Sequence, residues 1–311
     1  MKRLYGVVLL FLAAGIASPA PLEAPAAADV WLARPVDDQT FQTYLDFFTY
    51  DRKLPFDLRV IGSEEKDGVK REHFSFQSTR GVRVFANLDQ AGGSAFGKRP
   101  SVIMLHGGGP AGKDNPGVQL MARLIARAGY NVLAIDMQHF GERSTDLLTT
   151  FTEQEKHDRL YNQPAAYLAW ITQTVKDVSR SYDLLVEQRG ADARRVAVIG
   201  ISRGAIAASI AGAADRRLAA VAMLFGGHFD ALERGHLPAA CPANYIGRIS
   251  PRPLLMINGT RDTDMIKETS VEPLQRLAKP PKTILWAETG HQLPTEEHRS
   301  ALLRWLQESL K

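Results

Sequence analysis

The stretch VAVIGISRGAIAASIAGAA, residues 196–214, decides how this chain is read. It opens with the β-branched residues Val196, Val198 and Ile199, bends through Gly200-Ile201-Ser202-Arg203-Gly204, and leaves as a run of small side chains. A buried strand, a tight elbow and a helix of small residues are the setting that a Gly-x-Ser-x-Gly nucleophile motif needs. At such an elbow the serine takes a strained backbone conformation, and a side chain at position 200 or 204 would strike neighbouring backbone. In a chain with 25 glycines the bare pattern is weak, and a structural turn between strand and helix is the alternative. The remainder of the chain has to discriminate between them.

Length and composition set the frame. The 311 residues, 45% hydrophobic and 23% charged, suffice for one large α/β domain with a sizeable core. The beginning differs in character: Lys2 and Arg3 precede an apolar run, 4–16, and then SPAPLEAPAAA, 18–28. That order is expected of a secretory signal peptide, 1–28, cleaved after Ala28, with Ala26 and Ala28 as the small-x-small pair. The alternative, a membrane anchor, needs a spanning run of about 20 residues, and this one is shorter, so no stable membrane insertion is expected after cleavage. Cys241 is the only cysteine, which forbids an intrachain disulfide and suits a periplasmic or secreted protein without disulfide staples. The formal charge is +4, of which Lys2, Arg3 and Glu23 contribute +1, leaving +3 on 29–311. These charges are scattered rather than run together, so no nucleic-acid partner is expected.

Residues 29–311 read as a single domain, in which 29–100 form an N-terminal extension and the first antiparallel strands. Asp37 and Asp38 can cap a short helix that carries Phe41, Tyr44, Leu45 and Phe48 on one face. Strand-like segments follow at 58–61, 72–77 and 82–88; in the second, Phe74 and Phe76 alternate with Ser75 and Gln77 as in a half-buried strand. A glycine-rich loop, 91–100, separates these from alternating strands and helices. Strands are expected at 102–105, 132–135, 196–199, 221–225, 254–257 and 283–286. Helices are expected at 119–128, along Leu168, Ile171, Val175, Val178, Tyr182 and Leu185, after the elbow, near 271–277 and at 296–310. That alternation implies a mostly parallel sheet covered on both faces, with an antiparallel, amphipathic beginning.

A catalytic serine needs a base, an orienting carboxylate and donors for an oxyanion, all at the carboxyl ends of the strands. Candidates stand there. Asn258-Gly259-Thr260-Arg261-Asp262 follows one strand, and Glu288-Thr289-Gly290-His291 follows the next. Asp264 is the alternative to Asp262, which could instead cap a helix. His106 is expected to hold the His106-Gly107-Gly108-Gly109 loop in shape, and His139, Glu142 and Arg143 to form a structural loop with an internal ion pair. The spacing of His228, His236 and Cys241 matches no closed zinc pattern, so neither a metal nor a cofactor is expected. The segment 226–253, rich in Gly, Pro and His, is expected to lie over the site.

Taken together, LHGGG at 105–109, D-x-x-x-x-G-E-R at 136–143, GISRG at 200–204, PLLMINGTRD at 253–262 and GH at 290–291 resemble the α/β-hydrolase family. Within it, the likeness is to the dienelactone hydrolase and acetyl-xylan-esterase-like serine esterases, and it spans nearly all of 29–311. The resemblance implies an eight-stranded-type sheet and a serine hydrolase that acts on small-molecule or saccharide esters. It implies Ser202 as nucleophile, His291 as base and acid, and Asp262 as its orienting partner. The amides of Arg203 and of Gly107 or Gly108 are implied as the oxyanion hole. Arg203 departs from common members, and its side chain could pack on the sheet or face an anionic substrate. A serine peptidase of the same fold and a non-catalytic binding protein on that scaffold are the rival expectations. The former usually adds a gating domain, of which no break in composition gives a sign.

Overall fold

Alternation along the strands assigns each residue to one face of a single sheet. In the strand Arg99–Leu105, Ile103 and Leu105 join the core on one side, while Val102 and Met104 join the core on the other. Val196 and Val198 part from Ala197 and Ile199 in the same way. Each such strand is buried on both faces, which is why its sequence reads as an unbroken apolar run. The computed structural model describes residues 30–92, 98–292 and 295–311; the expected signal peptide and residues 93–97 of the glycine-rich loop lie outside the described residues.

Among the described residues the sheet has nine strands: β1 Arg59–Lys66, β2 Val69–Thr79, β3 Val82–Ala91, β4 Arg99–Leu105, β5 Asn131–Ile135, β6 Ala191–Ile201, β7 Ala220–Leu224, β8 Leu254–Gly259 and β9 Lys282–Ala287. Their spatial order is β1-β2-β3-β5-β4-β6-β7-β8-β9. The β1-β2, β2-β3 and β3-β5 pairs are antiparallel, and every pair from β5-β4 through β8-β9 is parallel. This is one strand beyond the eight-stranded type. The edge strand β1 is not amphipathic as expected: Val60 and Ile61 are 62% and 51% exposed, and all of its residues but Gly62 are exposed. The polar Ser75 of β2 is buried rather than half-exposed.

One face carries the helices Asp38–Leu45, Pro164–Gln188 and Arg203–Ala214, and the other carries Pro116–Arg127 and Glu296–Ser309. Asp37 caps the first through its side chain, which accepts from the Thr40 amide at 2.7 Å. The long helix Pro164–Gln188 buries Ile171, Val175, Val178, Tyr182 and Leu185 along one stripe, as their spacing predicts.

The chain leaves β4 in one direction to form β5, and returns across β4 to form β6. The strand order therefore reverses at the β4-β6 pair, where Leu105 lies opposite Gly200. A reversal of this kind opens a crevice at the carboxyl ends of the two strands. The glycine loop 106–109 and the elbow at Ser202 leave the sheet at that point.

Candidate active site

Ser202 follows β6 at φ +54°, ψ −118°, in the positive-φ region that an L-residue occupies only when its surroundings enforce it. The enforcement is visible. The Ser202 amide donates to the Leu224 carbonyl at 2.8 Å, and the helix Arg203–Ala214 begins at the next residue. A Cβ at Gly200 would overlap the Gly204 carbonyl, and one at Gly204 would overlap the carbonyls of Leu105 and His106. Only glycine on both sides permits so sharp a turn.

The Ser202 hydroxyl lies 2.8 Å from His291 Nε2, and His291 Nδ1 lies 2.8 Å from Asp262 Oδ2. An ionised carboxylate can only accept, so the Nδ1 proton faces Asp262 and the Nε2 lone pair faces Ser202. The other carboxylate oxygen of Asp262 accepts from the amides of Asp264 and Met265, each at 2.9 Å. Asp262 is therefore both a turn cap and the imidazole's partner. Asp264 is mostly exposed, and its nearest oxygen lies 3.9 Å from Nε2, outside hydrogen-bonding range. The loops after β8 and β9 are zipped together, Thr260 N to Ala287 O at 2.8 Å and Arg261 N to Thr289 O at 3.0 Å, which brings Asp262 and His291 side by side.

The glycine loop is held from beneath. His106 is fully buried, and its Nε2 accepts from the Met137 amide at 3.0 Å, so Nδ1 carries the proton and donates to the Gly107 carbonyl at 2.6 Å. Burial keeps this imidazole below the ordinary histidine value, hence neutral. Gly107 lies against the elbow: a Cβ there would stand 3.3 Å from Ser202 Cβ. The amides of Gly107, Gly108 and Gly109 donate to no other group among the described residues.

Two cavities meet at this loop. The smaller, about 170 Å³, is largely apolar, with Val118, Ile201 and Phe225 beside Gly107 and His291. The larger, about 380 Å³, reaches Ser202 and His291 between Glu153, Lys156, Asp230 and Asp264. The side chains over the larger one come from two segments, only one of which was expected. Residues 226–233 do reach the site, but 238–249 do not. Their short helical turns bury Ala240, Tyr245 and Ile246 in the core, Tyr245 edge-on to Phe41 and Phe48. The other cover, 149–161, was missed by reading periodicity alone, because its two helical turns are too short to show any. A signal was present in the Thr152-x-x-Glu155 spacing: Thr152 caps the turn, its Oγ1 accepting from the Glu155 amide at 3.2 Å. The Glu155 carboxylate in turn accepts from the Thr149 hydroxyl at 2.7 Å and from the amides of Thr149, Thr150 and Phe151 at 2.7–2.9 Å, and these bonds, the hydroxyl's foremost, hold its pKa below the usual carboxylate range.

The Arg203 side chain takes neither expected course. It is buried, stacks on the Tyr161 ring at 3.7 Å from its centroid, and pairs with Asp230 and Glu233 while lying 3.2 Å from His157 Nε2. It thus ties both covering segments to the residue after Ser202. Burial opposes ionisation of Glu233, yet Arg203 and His236 hold its carboxyl down to about 2. The internal ion pair expected within 139–143 is also absent. Glu142 pairs with Lys113 and His73, each at 2.6 Å, whereas Arg143 turns inward to Asp177 at 2.6 Å. Adjacent residues in this turn point to opposite sides, so each finds its partner on a different element. Cys241 Sγ lies 3.9 Å from His228, and His236 stacks on Tyr167 beside Glu233. Among the described residues no group of three or more His, Cys, Asp or Glu is placed to hold a metal ion, and no helix is long and apolar enough to cross a membrane.

No protein-family model matches this chain, and no curated protein matches it either. Among solved structures it is similar to an acetyl xylan esterase from Paenibacillus sp. R4, with a TM-score of 0.69 and 17% identity over 90% of this chain and 98% of that one. It is also similar to acetyl xylan esterase 1 from Thermoanaerobacterium sp. JW/SL YS485, with a TM-score of 0.64 and 19% identity over 89% and 95% of the two chains. A cold-adapted esterase from an Arctic intertidal metagenomic library gives a TM-score of 0.61 and 18% identity over 85% of this chain and 100% of that one. At such identities the likeness is one of fold, and the fold is that of the α/β hydrolases.

Proposed function

We propose that this chain is a serine esterase that hydrolyses carboxylic esters through an acyl-enzyme. The observation that carries this reading is the continuous chain of hydrogen bonds from Ser202 through His291 to Asp262, both links at 2.8 Å, at the mouth of the crevice. Ser202 Oγ attacks the ester carbonyl while His291 Nε2 takes its proton, and Asp262 stabilises the imidazolium that results. The tetrahedral oxyanion is received by the Arg203 amide, at the positive end of the helix Arg203–Ala214, and by the amide of Gly107 or Gly108. Collapse expels the alcohol, which takes the proton back from His291. Water then repeats the sequence on the acyl group and releases the acid.

The similar structures are those of esterases and acetyl xylan esterases, which supports an ester rather than a peptide as substrate. The two cavities divide in the same sense: the smaller, more apolar one suits a short acyl group, and the larger one, which carries Glu153, Lys156, Asp230 and Asp264 in its lining, suits a small-molecule or saccharide alcohol. The segment 1–28 supports export to the periplasm or beyond, and 29–311 function as one domain. Ser202→Ala tests the assignment: turnover of p-nitrophenyl acetate is expected to fall about 10⁶-fold with the melting temperature unchanged. Retention of substantial turnover by that variant refutes it.

A further inference from the structure

Two carbonyls of the glycine loop are gripped, and by groups of different origin. The His106 ring, buried under the sheet, holds the Gly107 carbonyl. The Lys156 ammonium, from the covering segment, holds the Gly108 carbonyl at 3.1 Å. In a planar trans peptide the C=O and the following N–H point in opposite directions. The first grip therefore turns the Gly108 amide away from His106, and the second turns the Gly109 amide away from Lys156. All three glycines line the cavity that reaches Ser202.

Lys156 is built into this position. Its side chain is 6% exposed, and its second partner is Glu153 at 2.6 Å. The turn that carries it is capped at its start by the Thr152 hydroxyl, and the preceding residues 149–151 are fixed by the Glu155 carboxylate. No side chain could replace the hydrogen at Gly108 without crowding this contact, since a Cβ there would stand 3.3 Å from Lys156 Nζ and 3.1 Å from Tyr161 Oη. A buried cation spent on a backbone carbonyl beside the nucleophile calls for a reason beyond surface solvation.

We infer that Lys156 is a positioning residue of the oxyanion loop: by holding the Gly108 carbonyl it fixes the peptide plane that follows Gly108, and together with the His106 grip on the plane before it this immobilises the residue whose amide is aimed at the forming oxyanion. This rests on the esterase reading above and extends it to a residue outside the Ser202-His291-Asp262 set. Preorganised donors act on the transition state rather than on the bound ester. Loss of the grip should therefore appear in kcat and leave KM nearly untouched.

The test compares Lys156→Met and Lys156→Gln with the parent on p-nitrophenyl acetate, alongside inhibition by a boronic acid that forms a tetrahedral adduct with the serine. Lys156→Met is expected to lose about 10- to 100-fold in kcat, with KM within about threefold and boronate affinity falling in parallel with kcat. Lys156→Gln, which keeps an N–H donor, is expected to recover most of the loss. An unchanged kcat in Lys156→Met, a rise confined to KM, or undiminished boronate affinity overturns the assignment. If Lys156→Met fails to fold, Lys156→Ala takes its place in the same comparison, and failure of both to fold makes the residue structural and overturns the assignment as well. A parent protein that neither turns over the ester nor binds the boronate sinks the esterase reading itself, so the two failures are distinct.

Discussion

The candidate site is assembled from two halves built on different principles. Ser202, Asp262, His291 and the glycine loop stand at the tips of β6, β8, β9 and β4, where strand register and a few tight turns fix each backbone. The cover, 149–161 and 226–233, has only short helical turns at 153–161 as regular structure and is held by side chains: the Thr152 cap, the Glu155 carboxylate, and the Arg203 guanidinium between Asp230 and Glu233. In the first half geometry comes from the backbone and chemistry is left to the side chains. In the second the side chains supply the geometry. Substitutions in the two halves should accordingly fail in different ways.

The largest effect belongs to the strand-tip half. Asp262→Asn keeps an oxygen to accept the amides of Asp264 and Met265 but no longer fixes the Nδ1–H tautomer of His291. It is expected to lower kcat about 10⁴-fold while thermal melting stays within a few degrees of the parent. A melting temperature that falls together with activity would erase the distinction drawn here.

Arg203→Met probes the cover. Its backbone amide survives, but Asp230 and Glu233 lose their shared cation in a buried setting. The expected cost is about 3–5 kcal/mol, read as a fall of roughly 10 °C in melting temperature, with a smaller proportional loss of turnover than in Asp262→Asn. An unaltered melting temperature would mean that the cover is held by something other than this network.

A smaller effect follows from the buried imidazoles. Burial holds His106, His139, His157 and His236 below the ordinary histidine value of 6.5. The unfolded chain therefore takes up protons at these rings before the folded one does. Stability is fully present above about pH 6.5 and is lost as the pH falls through the lower folded values. Between pH 7.5 and 5.5 the melting temperature is expected to drop by roughly 5 °C. Because His157 belongs to the cover and His236 pairs with its Glu233, replacing both should flatten much of that slope. A melting temperature that is level or rises toward pH 5.5 contradicts the assignment of neutral rings.

The same division explains what could be read from the chain beforehand. Strand-tip residues are legible because their neighbours are apolar runs of fixed period: Asp262 and His291 each follow a strand that announces itself, and Gly200 and Gly204 mark the elbow on both sides. The two roles of Asp262, cap and partner, looked like alternatives in sequence and are one arrangement in space. The cover was barely legible. Arg203 meets Glu233 and Asp230 across 30 and 27 residues of chain, and no local pattern announces such partners. Lys156 lies where one short helical turn, Glu153–Lys156, passes directly into another, His157–Tyr161, and each is too short for a hydrophobic period to repeat. The Thr152–Glu155 spacing was the one local sign, and it speaks of a helix start rather than of an active site. The edge strand β1 misled in the opposite way, since its Val60 and Ile61 suggest a buried face that the fold leaves in solvent.

The most direct measurement is the mass of the intact protein after exposure to a fluorophosphonate, followed by peptide mapping of the adduct. One phosphonyl group per chain, located on Ser202 and absent from Ser202→Ala, is the expected result. An unlabelled parent protein, or an adduct mapped to any other residue, contradicts a nucleophile at the β6 elbow.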